Sequence, residues 1–388
     1  MGRQATRQIE LGCLPLALEQ AGAFIKTTGR PFSYYLEKLR SNKLEVLSKF
    51  KPLEYPEPVS RTWDISFREA EKTSKLSVHI LYLCSFLASD RIPISLLDRA
   101  EMYLVSGGSS PAFKDDLDEA LQVLNSYSLM TLTAGDRSIH RLVQDVIRGS
   151  LAEEDKKLWA GAAVKMLNDV FPKDHLDNVQ SWAECSILLP HALAAAGHGE
   201  ELGVELEATG RLLNECGLYL RTLGEFKEAR SALERALVID EKVYGPDHPT
   251  VARDVNNLGL VLRALGELAE ARRCFERALK IDEKVFGPDH PTVAIDVNNL
   301  GSVLRDLGEL AEARRCFERA LKIDEKVFGP DHPQVAIDVN NLGGVLQDLG
   351  ELAEARRCFE RALKIFQARL GENHPYTKTV RNNLKGQK

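Results

Sequence analysis

The sequence has no apolar run of about 20 residues, the length needed to span a bilayer, and no basic leader ahead of a short apolar stretch. Neither a membrane span nor a secretion signal is expected. It has no excess of positive charge. Lys and Arg number 51 against 57 Asp and Glu, a net charge of −6, and no basic stripe gathers anywhere. That argues against nucleic acid as a partner. It has no G-x-x-x-x-G-K-[ST] stretch, so it lacks the backbone loop and lysine that would cradle nucleotide phosphates. Paired carboxylates in a cleft, a Ser/His/Asp or Cys/His arrangement and metal-ligand spacings are missing too, and no enzyme is expected. Cysteines are few and odd in number, seven in all. Cys274, Cys316 and Cys358 are one position copied three times beside a Phe. A full repeat apart, they lie too far from one another to share an ion at the ~2.3 Å of zinc–thiolate bonds. They read as buried thiols of a reducing compartment, the cytoplasm.

What is there is repetition. Thr250–Pro291, TVARDVNNLGLVLRALGELAEARRCFERALKIDEKVFGPDHP, recurs as Thr292–Pro333 and, slightly altered, as Gln334–Pro375, with a diverged copy at Ala208–Pro249; the period is 42 residues. A fixed period of this size means stacked supersecondary units. In each unit the apolar residues follow helical spacing twice. The first run holds Val255, Leu258, Val261 and Leu262; the second holds Leu268, Ala271, Phe275, Ala278 and Ile281. Gly266-Glu267 breaks the two runs, and Gly287-Pro288-Asp289-His290-Pro291 ends the pair. Gly259, Ala271 and Ala278 are small where two helices would cross. Basic and acidic residues balance within Thr250–Pro291. The predicted fold is mostly α: a helical superhelix with smaller helical modules before it.

Leu258-Gly259, Leu262, Gly266, Ala271, Phe275 and Ala278 resemble the tetratricopeptide consensus, and the 42-residue length with its GPDHP close resembles the kinesin light chain variety. Repeats are therefore expected at 208–249, 250–291, 292–333 and 334–375, with 376–388 as a polar capping helix. The resemblance implies a scaffold that binds a protein or peptide along its first helices. It also implies that the second residue of each Asn-Asn-Leu contacts the peptide backbone. Asn257, Asn299 and Asn341 match that position, preceded by Asn256, Asn298 and Asn340; Glu215 replaces it in the first copy. An amide both donates and accepts, so it suits a peptide group of any sequence. The other reading of these amides is bonding between neighbouring repeats.

Copies within one chain can be compared. Thr250–Pro291 and Thr292–Pro333 differ only as Arg253/Ile295, Leu260/Ser302 and Ala264/Asp306, all on one face of the first helix. The next copy changes that face again, Ser302 to Gly344 and Arg305 to Gln347. This pattern suggests a diversified recognition surface, with Arg263, Ser302, Arg305 and Gln347 beside the asparagines.

Ahead of the repeats, GCLPLALEQAGAFI resembles the GLPLAL motif of NB-ARC domains, the switch ATPases of NLR-like proteins. TWDISFREAE and ILYLCSFLASDRIPISLLDRA resemble the winged-helix part of the same family. Leu129–Thr133 and Ser138–His140 read as a small β-hairpin, the wing. The resemblance implies a helical subdomain at 1–55, a winged-helix-like one at 56–150 and a helical bridge at 151–207. It places Pro15 where the family's proline meets adenine and His140 where its histidine meets a phosphate. Arg141 stands where the family has an acidic residue. ADP or ATP is expected only in a homologue that carries the phosphate loop. A nucleotide-binding domain on another chain is the alternative partner.

Overall fold

The computed structural model describes residues 59–104, 113–133, 135–174 and 178–386, with six isolated positions between 25 and 37. Pro15 and nearly all of the expected helical segment 1–55 lie outside the described residues. The chain divides into two compact units, Met1–Leu212 and Leu213–Lys388.

In the first unit the elements run α1 (Val59–Thr73), α2 (Lys75–Cys84), β1 (Ile92–Pro93), α3 (Ile94–Asp98), α4 (Glu101–Leu104), α5 (Phe113–Ser126), β2 (Thr131–Leu132), β3 (Asp136–Ser138), α6 (Arg141–Ser150), α7 (Glu153–Val170) and α8 (Trp182–Leu202). Strands β2 and β3 pair antiparallel with Thr131 opposite Ser138, so a hairpin forms, but its second strand starts two residues before the expected Ser138–His140 and takes in Asp136. A third strand, β1, adds to the other edge of β3, with Ile92 opposite Arg137. Periodicity does not reveal β1, because two residues are too few to show a period. Ile80, Leu81, Leu83 and Phe86 are buried with Leu97, Leu117, Leu121, Leu142 and Ile147. Two buried polar side chains of this core bond backbone carbonyls. The Ser77 hydroxyl donates to the Ala120 carbonyl at 3.1 Å. The Gln144 amide donates to the carbonyls of Cys84 at 2.8 Å and Leu87 at 3.1 Å.

Helix α9 (Leu206–Thr222) leads into the repeats, which continue as α10 (Phe226–Tyr244), α11 (Pro249–Ala264), α12 (Leu268–Phe286), α13 (Pro291–Asp306), α14 (Leu310–Phe328), α15 (Pro333–Asp348), α16 (Leu352–Leu370) and α17 (Pro375–Lys385). Each unit is the expected helix pair, stacked into a superhelix. The turn inside a pair is set by Gly266, whose φ of +80° is left-handed backbone that a side chain would strain. Gly259 lets the two helices close: a Cβ there would stand 2.7 Å from the Phe275 ring, so the ring occupies the place of a side chain. Ala271, Phe275 and Ala278 are fully buried on the second helix, as their small–large–small spacing requires.

Between pairs, proline opens the first helix and the histidine before it is the N-cap. His290 Nδ1 accepts from the Thr292 N–H at 3.2 Å, and His248, His332 and His374 do the same for their helices. The aromatic ring ending the previous helix stacks on that histidine, Phe286 on His290 and Phe328 on His332 at 4.6 Å between centroids. The repeated GPDHP is thus a folded joint between repeats.

Candidate functional site: the first-helix face of the repeats

The asparagines form a ladder. Asn257 Nδ2 donates to Asn214 Oδ1 at 2.9 Å, Asn299 to Asn256 at 2.9 Å, Asn341 to Asn298 at 3.0 Å and Asn383 to Asn340 at 2.9 Å. In every case the second asparagine of one repeat bonds the first asparagine of the repeat before it. These amides therefore tie neighbouring first helices together. Each pair uses one N–H and one carbonyl. The remaining N–H groups of Asn256 and Asn298 and the carbonyls of Asn299 and Asn341 make no other bond within the described residues, and none is buried. An unsatisfied donor and an unsatisfied acceptor side by side match the two polar groups of a peptide unit.

Two short side chains suffice to bridge the first helices. The second helices are bridged only by long ones: Arg272 Nη1 reaches both oxygens of Glu309 at 2.9 Å, and Arg314 reaches both of Glu351 at 3.0 Å.

The variable positions divide into groups. Arg263 Nε binds Asp306 and Arg305 Nε binds Asp348, each pair crossing to the next repeat. The Ala264-to-Asp306 change thus supplies a partner to the preceding arginine. Arg253 sits at the first joint, 2.8 Å from Asp254 Oδ1, where Ile295 and Ile337 stand at the later ones. A Cβ on Gly344 would fall 2.6 Å from Arg305 Nη1, so glycine there makes room for the guanidinium. The Ser302 hydroxyl donates back to the Asn298 carbonyl at 3.0 Å within its own helix. Gln347 is half-buried on the same helix face. The structure thus collects Asn256, Asn298, Asn299, Asn340, Asn341, Ser302, Arg305 and Gln347 on one face. It joins the arginines to aspartates on the face that the sequence reading took as a diversified recognition surface.

In the first unit His140 caps α6, its Nδ1 accepting from the Leu142 N–H at 3.2 Å. Cys84 is fully buried and its thiol is pushed up to about 12 by desolvation; Cys274, Cys316 and Cys358 are raised for the same reason. A raised thiol is a poor nucleophile and a poor metal ligand. Among the described residues no group of three or more His, Cys, Asp and Glu could hold a metal ion, and no helix is long and apolar enough to cross a membrane.

Tetratricopeptide repeat families match residues 209–250, 255–292 and 297–334, and a second such family matches 337–385. The repeats are therefore tetratricopeptide repeats, a class of protein-interaction scaffold that is typically non-enzymatic. A family described as a domain of unknown function (DUF7779) matches residues 68–156. Over 250 residues the chain is 31% identical to a nucleotide-binding leucine-rich repeat (NLR)-like protein of Hyaloscypha variabilis, covering 61% of this chain and 24% of that protein. The chain spans about a quarter of the length of that relative. Among solved structures, kinesin light chain TPR-like repeats from Podosopora anserina align at 19% identity and a TM-score of 0.45, covering 53% of this chain and 95% of that one. BtubC (BKLC) from P. vanneervenii aligns at 22% identity and a TM-score of 0.42, covering 58% and 95%.

Proposed function

We propose that the chain captures an extended segment of a partner protein along its first-helix face. The asparagine ladder carries this reading. Successive amide pairs fix the spacing of the stack and still present one free donor and one free acceptor each. A backbone lying along them gains hydrogen bonds whatever its sequence. Ser302, Arg305 and Gln347 stand beside the pairs and select side chains. Such a groove binds modestly, at about micromolar affinity, or roughly −8 kcal/mol.

The ladder offers a variant that separates binding from folding. In Asn256→Asp/Asn298→Asp the carboxylates still accept from Asn299 and Asn341, but the free N–H groups are gone. A peptide selected from a displayed library against the full chain should bind this variant about ten times more weakly or worse. Its melting temperature should stay within about 2 °C of the parent. Unchanged affinity would remove the groove as the binding site.

A second reading is that the chain is the sensing part of a nucleotide-driven switch. The NLR-like relative favours it. So does the order α2-β1-α3-α4-α5-β2-β3 ahead of α6 with its β1-β3-β2 sheet, an order that suits a winged helix. On this reading His140 lies at the end of the wing, Pro15 would face adenine, and the partner is a separate nucleotide-binding domain.

A further inference from the structure

Two aspartates meet at each of the first three joints between repeats, one from the end of a second helix and one from the start of the next first helix. The pairs are Asp240 with Asp254, Asp282 with Asp296, and Asp324 with Asp338, close enough for each carboxyl to hydrogen-bond its partner. All six are buried, none more than 3% exposed. Taking such groups out of water is costly unless something compensates, and the compensation differs from joint to joint. At the first joint Arg253 Nη2 lies 2.8 Å from Asp254 Oδ1 and 3.7 Å from Asp240 Oδ2. At the second and third joints that position is Ile295 and Ile337. There Asp282, Asp296, Asp324 and Asp338 make no ion pair, and each keeps at least one buried oxygen without a partner. At the fourth joint both carboxyls are gone, replaced together by Phe366 and Val380, which are equally buried.

The surroundings supply little positive charge at the two middle joints. His290 faces Asp282 and His332 faces Asp324. Glu283 and Glu325 face Asp296 and Asp338, and each is already taken by an arginine of the following repeat, Arg319 and Arg361. At the first joint Glu215 adds to Arg253. Two carboxylates side by side in a dry site cannot both ionise. One proton between them turns repulsion into a short charge-assisted hydrogen bond.

We propose that a single shared proton closes each of the two middle joints, so that the repeats are locked together in acid and neutral solution and loosen as alkali removes that proton. The direction agrees with burial and mutual repulsion, which raise Asp296 and Asp338 to about 8. A carboxyl raised on folding contributes stability that is complete below its unfolded value of 3.8, declines as pH rises between the two values and is gone once pH has passed the raised one. The Asn256–Asn299 and Asn298–Asn341 bonds join repeats across these same joints. Loosening them therefore also alters the spacing of the asparagine ladder.

Thermal melts of the full chain between pH 7 and 9 test this. The parent should lose about 5 °C or more across that range. Asp296→Asn/Asp338→Asn carries a permanent amide donor in place of the proton, and its melting temperature should change by less than about 2 °C. Hydrogen exchange, corrected for the intrinsic effect of pH, should speed up in α13 and α15 of the parent but not in α17, whose joint is Phe366–Val380. If the asparagine variant does not fold, Asp282→Phe/Asp296→Val moves the fourth joint's pair into the second and should roughly halve the parent's dependence. A parent whose melting temperature is constant from pH 7 to 9 would overturn the proposal. So would a folded asparagine variant that falls as steeply as the parent, or a Phe/Val variant with undiminished dependence.

Discussion

The first unit and the repeats solve the same problem, burying polar groups between helices, in opposite ways. In the first unit each solution is used once: Gln144 ties α6 to two carbonyls at the end of α2, and nothing else among the described residues copies it. In the repeats one solution is used many times. The asparagine pair occurs four times, and the arginine that reaches the next repeat's glutamate occurs at Arg230, Arg272 and Arg314. A contact used once has no substitute when it fails. A copied contact distributes stability as a sum of nearest-neighbour terms.

The largest effect should therefore follow Gln144→Leu. It strips two buried carbonyls of a shared donor, at a cost of about 2–3 kcal/mol. Protease resistance and hydrogen-exchange protection of 75–150 should collapse, while 226–385 keeps its protection. Equal loss in both regions would mean that the two units do not differ in this way.

In the repeats, Gly259→Ala pushes a methyl into the Phe275 ring, and overpacking of that kind costs about 1–3 kcal/mol. Gly343→Ala meets Phe359 at 2.9 Å and should cost about the same. Denaturant titration of the two single variants and the double should show near-additive losses. A double variant far worse than the sum would show that the repeats do not behave as neighbours in a row.

The smallest effect sharpens the point. Arg314 reaches Glu351 of the next repeat, whereas Arg356, its copy at the end of the row, holds only Glu360 of its own helix. Exposed ion pairs are weak. Arg314→Ala should lower the melting temperature by less than about 3 °C, and Arg356→Ala by less still. Equal effects would mean that the arginine–glutamate bridge between repeats contributes nothing beyond the local helical pair.

The same contrast governs what could be read in advance. Helix limits in the repeats follow the expectation within a residue or two, because glycine, proline and the apolar spacing act locally and are written out four times. The existence of the hairpin in the first unit was legible from its alternation, but its second strand lies two residues earlier than expected. Strand β1 was not, since Ile92-Pro93 becomes a strand only when β3 is laid beside it. The asparagines were legible as a constant polar column, with both roles open. Ala264/Asp306 was read as part of a recognition surface, because its partner, Arg263, lies in the preceding repeat and the pairing is invisible along the chain.

The sequence by itself determined the helix pairs, their period, the glycine under each phenylalanine and the proline-opened joints. Those depend on neighbours a few residues away, or on a pattern that copies itself. Only the tertiary structure decided which amide faces which across a 43-residue separation, and that Asp282 lies against Asp296 while Phe366 and Val380 replace the same pair at the last joint. The reason is geometric. Stacking brings side chains from successive helix pairs to within a few ångströms, at a distance set by the packing of the whole joint and not by the spacing of residues along the chain.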